Sequence, residues 1–345
     1  MLNYGLFCKV MAERIKDFFP ESLKDCDVSV RKMQKLNTDT DGLHVVKKGK
    51  VFGQCFELDS LYSMYKESQS DMTDFLKETA DLIAENMSGE KQMENNIEES
   101  YLQMKNADKE AFLGKIFFTL ENKAQNMSKN QNMPSRDYLD CQIVYKYMMT
   151  MNDNEMASIS VDNSMMQVYG VTEQELYDAA YKNTRSFFPE NVTSMADMMS
   201  QFMIQDGIPE DIVKMMYSDS FENNMWIISN DKGINGSVNI IYDDILAEIS
   251  QKVGGDLCIF PSSVHECIAV CDDGTVDYED FAGMLNDINM CAVDIRDRLS
   301  NQVYKYDSKK HELTQKTDTK FKRVDGKEMS VNDAAKKISG SIVRL

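Results

Sequence analysis

The chain has 345 residues, a formal net charge of −19 and 42% hydrophobic residues. Its length predicts two or three domains, and its hydrophobic content, with only 5 Pro and 16 Gly, predicts globular structure rather than wholesale disorder. The charge argues against a general nucleic-acid binder, because such binding depends on Lys and Arg neutralising phosphates. It also disfavours anionic membrane surfaces, while leaving an acidic mimic of DNA open.

The N-terminal segment does not have the pattern of a signal peptide. Charged side chains from Lys9 to Asp17 interrupt its apolar residues, and no small-residue cleavage site follows. No apolar run reaches the ~18 residues that a transmembrane helix needs. The eight cysteines are scattered without a C-x-x-C pair, as is typical of small apolar residues in a reducing compartment. We therefore expect a cytoplasmic protein.

The first 88 residues predict a small α+β unit. Apolar residues recur at helical spacing from Leu6 to Phe19, and Pro20 ends that helix. Two further helical stripes extend to Ile83, and the polar stretch 89–112 predicts a linker or exposed helix rather than a core element. Between the helices, three strand-like runs predict a meander: Val28–Leu36, Leu43–Val46 and Val51–Leu58.

Residues 113–314 predict a second, larger α+β domain. Thr172 and Glu175 have the spacing of a capping box, in which each side chain bonds the other residue's backbone N–H. Asp277 is the expected cap of a later amphipathic helix. Short helices are expected around Met195–Met203 and Pro209–Met216. Strands are expected at Ile116–Leu120, Cys141–Met148, Met156–Val161, Val303–Tyr306 and Glu312–Thr314.

The strongest local pattern lies in Met225–Cys271, which we take as the centre of the sheet. It predicts strands Met225–Ser229 and Ser237–Ile241, then an amphipathic helix closed by Gly254 and Gly255. A hairpin follows, pairing Leu257–Phe260 with Glu266–Val270. The predicted fold class is α+β, with a mixed sheet core, flanking helices and a smaller N-terminal helix-plus-meander unit. Residues 315–345 are expected to form a basic tail.

Several segments together resemble a known family. They include DYLDCQIVYKYM, MASISVDNSMMQVYG, the stretch from Met225 to Val270 with its PSSVHE segment, and LSNQVYKYD. The chain resembles a family of bacterial proteins described only as domain of unknown function 5688, typical of Clostridia-like genomes and their mobile elements. The resemblance extends to about Tyr306 and leaves the basic tail outside. It implies no activity, cofactor or catalytic residue.

The leading candidate site is the loop after the predicted strand Leu257–Phe260. Ser262, Ser263, His265 and Glu266 place two hydroxyls, an imidazole and a carboxylate at the end of a hairpin. A serine nucleophile activated by His265 would need a carboxylate from elsewhere, because adjacent strand residues point to opposite faces and no G-x-S-x-G motif is present. The alternatives are a binding role and a purely structural turn with serine–backbone hydrogen bonds.

No catalytic residue, metal site or cofactor is predicted. The three histidines lie in separate segments, so zinc spacing is missing. Asp272–Phe281 looks like the second half of an EF-hand loop, but Ala269 and Cys271 occupy positions where carboxylates belong. The glycines Gly233 and Gly236 lead into a predicted strand rather than a helix N-terminus, which argues against a phosphate site.

The composition and the missing catalytic motifs favour a macromolecule-binding or interaction module, with a possible link to mobile elements. The partner is unknown; a protein is favoured over nucleic acid, and no membrane contact is expected. The alternative is a hydrolase-like enzyme centred on the Pro261–Glu266 loop. A carboxylate from another segment within reach of His265 would favour the enzyme, and a flat apolar patch rimmed by acid would favour the binder.

Overall fold

A computed structural model describes residues 1–89, 91–152, 156–217 and 224–318, and for residues 89 and 91–95 only the backbone. All structural statements below concern these residues. The chain divides into two compact units, residues 1–108 with 148–159 and residues 109–147 with 160 onward. Most of the predicted basic tail, from residue 319, lies outside the described residues. The predicted domain bounds at residues 88, 112 and 314 stay predictions.

The first unit packs helices against a three-stranded antiparallel sheet in the order β1-β2-β3. Its core contains Phe7 and Met11 from the first helix, Leu43 and Val45 from the middle strand, and Ile83 from the third helix, all fully buried. The stretch predicted as a linker or exposed helix forms helix α4. The elements are α1 (Tyr4–Arg14), β1 (Cys26–Lys35), β2 (Thr38–Lys47), β3 (Gln54–Glu57), α2 (Leu58–Ser68), α3 (Met72–Gly89) and α4 (Lys91–Asn106).

The rest of the chain contains two further sheets. The helices are α5 (Lys109–Leu113), α6 (Lys123–Asn126), α7 (Asn163–Tyr169), α8 (Glu173–Phe187), α9 (Met195–Gln205), α10 (Glu210–Tyr217), α11 (Asp243–Val253) and α12 (Tyr278–Cys291). The strands are β4 (Ile116–Asn122), β5 (Ser135–Tyr138), β6 (Cys141–Met151), β7 (Met156–Ser160), β8 (Glu190–Ser194), β9 (Met225–Asn230), β10 (Asp256–Phe260), β11 (Cys267–Asp272), β12 (Tyr304–Asp307) and β13 (Glu312–Gln315).

The largest sheet has six strands in the order β13-β12-β10-β11-β9-β8. The hairpin pairs Leu257 with Cys271 and Phe260 with Ile268, and the terminal hairpin pairs Tyr304 with Gln315. A second sheet has the order β4-β6-β5, with β7 paired to β6. The α+β class, the central position of β9, β10 and β11, and both hairpins are confirmed.

The predicted caps are also confirmed. Thr172 and Glu175 form the reciprocal capping box that begins α8. The Asp277 side chain accepts hydrogen bonds from the backbone of Glu279 and Asp280 at the start of α12. Gly254 ends α11 in the left-handed conformation. These signals act over three or four residues, which is why the sequence alone was enough to place them.

Three predictions were wrong in detail. The core sheet is antiparallel at every pairing of its six strands rather than mixed. The first two strands of the meander extend to a two-residue turn at Leu36 and Asn37, so residues 38–42, which were predicted to lie between strands, belong to β2. Gly236–Ile241, predicted as a strand from Ser237, forms a buried 3-10 helix.

A tertiary contact explains the 3-10 helix. The backbone N–H and the Oγ of Ser237 both donate to the carbonyl oxygen of Val264, at 3.2 and 2.8 Å. Gly236 lies so close to the main chain of β9 and the hairpin loop that a Cβ there would come within 2.4 Å of the His265 carbonyl oxygen. The segment therefore packs against the base of the hairpin loop instead of pairing in the sheet. No helix among the described residues is long and apolar enough to cross a membrane.

Candidate functional site

The Pro261–Glu266 loop is anchored to the segment that follows α12. The Val264 N–H donates to the Asp297 carbonyl at 2.7 Å, and the N–H groups of Leu299 and Ser300 donate to the carbonyls of Ser262 and Pro261. Ser263 and Arg298 form an isolated antiparallel bridge. The loop is therefore held by backbone pairing on one side and by Ser237 on the other.

Both serines of the loop are buried. The Ser263 Oγ accepts a hydrogen bond from the His265 N–H at 3.0 Å, a local side-chain-to-backbone bond typical of serine in turns. No described residue donates to or accepts from the Ser262 hydroxyl. These positions fit a turn that orders its own backbone better than a presented nucleophile.

The imidazole of His265 has partners at both ring nitrogens. Its Nδ1 accepts from the Asn235 backbone N–H at 3.3 Å, and its Nε2 lies 3.2 Å from Oδ1 of Asp297. Because Nδ1 is an acceptor, the neutral ring carries its proton on Nε2 and donates it to Asp297. Asp297 is thus the carboxylate from another segment that the hydrolase reading requires. No described hydroxyl is hydrogen-bonded to either ring nitrogen, so the general-base half of that arrangement is missing.

Glu266 lines an open groove on one face of the large sheet, with a volume of about 490 Å³. We call it the α9 groove. Strand register builds its floor from two rows of side chains. Asn191 pairs with Ser229, and Glu266, the residue directly before β11, lies beside Ser229 on its other side. These three residues make one polar row. The second, mostly apolar row consists of Thr193, Ile227 and Ile268.

Helix α9 forms the wall of the groove. Met195, Met198 and Gln201 recur every three residues on this helix and face the floor. Ser194 begins the helix, since its Oγ accepts from the Asp197 N–H at 3.0 Å. Asn230 completes the lining, and its side chain orders the turn after β9 by bonding the backbone of Lys232 and Ile234.

The polar row presents mainly acceptors. The Ser229 Oγ donates its proton to the His265 carbonyl at 2.8 Å, which leaves its lone pairs to accept. The Asn191 Nδ2 donates to Asp231 at 3.3 Å, which leaves its Oδ1 to accept. The Glu266 carboxylate has no hydrogen bond or ion pair with another described residue. None of the ten lining residues is basic.

Helices α9 and α10 also carry an unusual exposed apolar surface. Among the described residues, sixteen large apolar side chains are exposed, and six of them lie within residues 195–217. The two helices are adjacent, because the Tyr217 hydroxyl reaches the sulfur atoms of Met199 and Met203 at 3.8 and 4.0 Å. We define the α9–α10 surface as Met199, Phe202, Ile212, Met215 and Met216.

The four predicted site residues therefore do not form a single site. Ser262, Ser263 and His265 order the loop, and Glu266 alone faces the groove. Sequence reasoning missed Asn191, Ser229 and the α9–α10 surface. The two polar residues gave no signal, because they come from strands far apart in sequence. The helices do show a methionine-rich pattern, but that pattern is the same for core packing and for an exposed surface.

Comparisons with known proteins give a family but no activity. The model of the family described as "Family of unknown function (DUF5688)" matches residues 4–308. No curated protein and no solved structure matches the chain.

Proposed function

We propose that this chain, which belongs to the DUF5688 family, is a protein-interaction module whose α9–α10 surface binds a basic amphipathic helix of a partner protein. The observation that carries the proposal is the concentration of exposed apolar side chains on two adjacent helices. Phe202 is 59% exposed and Met215 is 80% exposed. Clustered apolar exposure of this kind costs solubility and marks interaction sites.

The chemistry of the surface favours a helix as the occupant. Methionine is flexible and polarisable, so a methionine-rich surface adapts to the side chains of a docked amphipathic helix. Each helix of the surface presents its apolar residues one turn apart, as Ile212 and Met216 do on α10. A partner helix laid across them would contact both stripes.

Charge decides which helix fits. Residues 195–217 contain four carboxylates and one lysine, and the exposed acids Asp197, Asp206, Glu210 and Asp211 surround the apolar positions in sequence. The whole chain carries a net charge of −19. An acidic rim attracts a basic partner and repels nucleic acid, whose phosphates carry the same sign.

A cytoplasmic location is also part of this proposal. All eight cysteines are free thiols. Four of them are buried, and the other four, Cys8, Cys55, Cys271 and Cys291, are exposed or half-buried. Oxidising compartments favour disulfides, so free thiols support a reducing one.

Binding of a designed peptide tests the proposal. The probe is a fluorescent helix of ~18 residues, five helical turns, with Leu at one face and Lys elsewhere. We expect saturable binding by fluorescence polarisation that weakens as NaCl rises, because salt screens the acidic rim. Met215→Asp and Phe202→Asp should each weaken binding by about tenfold or more, roughly 1.4 kcal/mol.

Two controls make the result specific. Val168 on α7 is 77% exposed, a fraction similar to the 80% of Met215. Val168→Asp therefore adds the same charge at an apolar position of matched exposure and should leave binding unchanged. A peptide of the same composition in scrambled order should bind weakly. Equal binding of the scrambled peptide, or equal loss in Val168→Asp, would refute a helix-docking surface. Strong competition by a synthetic peptide of residues 319–345 would instead make the chain's own tail the occupant.

The hydrolase remains a second candidate, because Asp297 reaches His265. Its test is a fluorophosphonate probe, which labels activated serines. We expect no labelling at Ser262 or Ser263, since both are buried and neither hydroxyl reaches the imidazole. Labelling lost in Ser262→Ala or Ser263→Ala would establish the enzyme.

A further inference from the structure

The α9 groove has a lining that selects for charge. Its polar row offers the Glu266 carboxylate, the Asn191 Oδ1 and the Ser229 Oγ, which are all acceptors once their existing hydrogen bonds are counted. A bound group must therefore bring several donors and a positive charge. An ammonium group has three donors and a guanidinium has five. An anion would meet an unpaired carboxylate and few donors.

The remaining lining selects for an aliphatic stem. Met195 and Met198 form the wall, and Ile227 lies directly opposite Ile268 on the floor. The volume of about 490 Å³ is within the range of small-ligand pockets and exceeds the needs of a single ammonium ion. Long basic groups place their methylene stems on apolar surface and their charge on polar groups, which matches this division.

We infer that the α9 groove binds a cationic nitrogen, ammonium or guanidinium, carried on an unbranched aliphatic stem. The two sources of this chemistry are a Lys or Arg side chain of a docked protein and a free aliphatic amine. The inference rests on the proposed function for the first source, because α9 contributes to both the groove and the α9–α10 surface. Phe202 lies one turn after Met198, so the apolar stripe continues from the groove onto that surface.

The first experiment uses a free amine and the full chain. The probe is n-pentylammonium, with n-pentanol and pentanoate as neutral and anionic matches, and the readout is the NMR shift of ¹³C-labelled methionine methyls. We expect saturable shifts at Met195 and Met198 with pentylammonium alone. Glu266→Gln should weaken that binding by about tenfold, because a charge-assisted hydrogen bond is lost.

The matched control is Glu312→Gln. Glu312 is an exposed carboxylate on β13 outside the groove, so this variant makes the same change in net charge and should bind pentylammonium as the wild type does. Thermal melting of both variants checks that each is folded. Equal shifts with pentanol, or equal binding by the wild type and Glu266→Gln, would overturn the inference for a free amine.

The second experiment uses the Leu/Lys helix and separates the two sources. Loss of peptide affinity in Glu266→Gln but not in Glu312→Gln would assign the groove to a basic side chain of the partner. Saturable pentylammonium binding with unchanged peptide affinity would assign it to a small amine. If neither ligand depends on Glu266, the inference is wrong.

The two proposals fail separately. Met215→Asp should weaken docking of the helix by about tenfold or more while leaving pentylammonium binding unchanged, because Met215 is outside the groove lining. Amine binding without helix binding would leave the groove inference standing and refute the interaction module. Helix binding, with neither the helix nor pentylammonium depending on Glu266, would leave the interaction module standing and refute the groove inference.

Discussion

Gly236 shows how the absence of a side chain can decide the path of the backbone. An added Cβ would lie 2.4 Å from both the Ser229 Oγ and the His265 carbonyl oxygen, and the carbonyl cannot move without shifting the hairpin loop. The close approach positions Ser237 to bond Val264, and so holds the loop that leads to Glu266. The groove floor depends on this contact, although Gly236 does not line it.

We expect Gly236→Ala to destabilise the protein by about 1–3 kcal/mol, the usual cost of overpacking. The control is Gly283→Ala on α12, where an added Cβ meets nothing within 4 Å and alanine is the better helix former. Urea unfolding should show a lower free energy of unfolding for Gly236→Ala and no decrease for Gly283→Ala. Equal stability of the two variants would mean that the loop adjusts freely.

Lys305 joins two carboxylates across the sheet. Its Nζ lies 3.0 Å from Asp256 and 2.9 Å from Asp272, and the Asp272 side chain is only 1% exposed. Hydrogen bonds from the Ser308 N–H and from Lys305 lower the pKa of Asp256 to about 2. Burial alone would raise the pKa of Asp272, but hydrogen bonds from Tyr278 and Lys305 outweigh it and lower that pKa as well.

Lys305→Met should lower the free energy of unfolding at pH 7 by about 3 kcal/mol, because it leaves Asp272 buried without its cation. In the wild type both folded-state pKa values lie below the unfolded value of 3.8. The stability they contribute is therefore complete above about pH 4 and is lost as the pH falls toward 2. Urea unfolding measured between about pH 4 and pH 2 should show a smaller fall in the free energy of unfolding for the variant than for the wild type.

The matched control for Lys305 is Lys310→Met. Lys310 is 70% exposed and pairs with Asp307 at the surface, so its loss should cost about 0–1 kcal/mol. Similar effects of the two substitutions would show that the Lys305 cluster is solvated and contributes little.

Helix α8 begins with a reciprocal capping box. The Thr172 Oγ1 accepts from the Glu175 N–H, and Glu175 accepts in turn from the Thr172 N–H at 2.9 Å. The ammonium of Lys109 and these bonds lower the pKa of Glu175 to about 2. Behind the cap, Leu176, Ala180 and Thr184 are the buried positions of the helix.

Thr172→Ala should therefore cost about 1 kcal/mol, the usual effect of losing an N-cap oxygen. Thr172→Ser keeps the oxygen and should recover most of the loss. Thermal unfolding followed by circular dichroism at 222 nm gives the comparison. Equal losses in both variants would assign the effect to the threonine methyl rather than to the cap.

The whole molecule is strongly acidic, and this affects its stability as well as its partners. A net charge of −19 repels itself in the compact state more than in the unfolded chain. The Debye length falls from about 30 Å at 0.01 M salt to about 8 Å at 0.15 M, so salt weakens long-range repulsion more than the short ion pairs.

We expect the melting temperature at pH 7 to rise as NaCl increases from about 0.01 to 0.15 M. Near the isoelectric point of about 4.6 the net charge vanishes, and the same change in salt should have little effect. Calorimetry at both pH values measures this. A melting temperature independent of salt at pH 7 would mean that local ion pairs outweigh the net charge.

Local pattern was enough to find most elements of this chain. The capping box at Thr172, the glycine stop at Gly254 and the apolar runs of β10 and β11 each depend on neighbours within a few residues. Such signals are present in the sequence whatever the rest of the chain does. The α+β class and both hairpins follow from them.

The groove and the α9–α10 surface needed the folded chain. Asn191, Ser229 and Glu266 become one row only through strand register, which joins residues far apart in sequence. The apolar stripes of α9 and α10 look the same whether another element covers them or solvent does, so their exposure is a tertiary property. Ser237–Ile241 has strand-forming residues, but the approach of Gly236 to the hairpin loop outweighs that local preference.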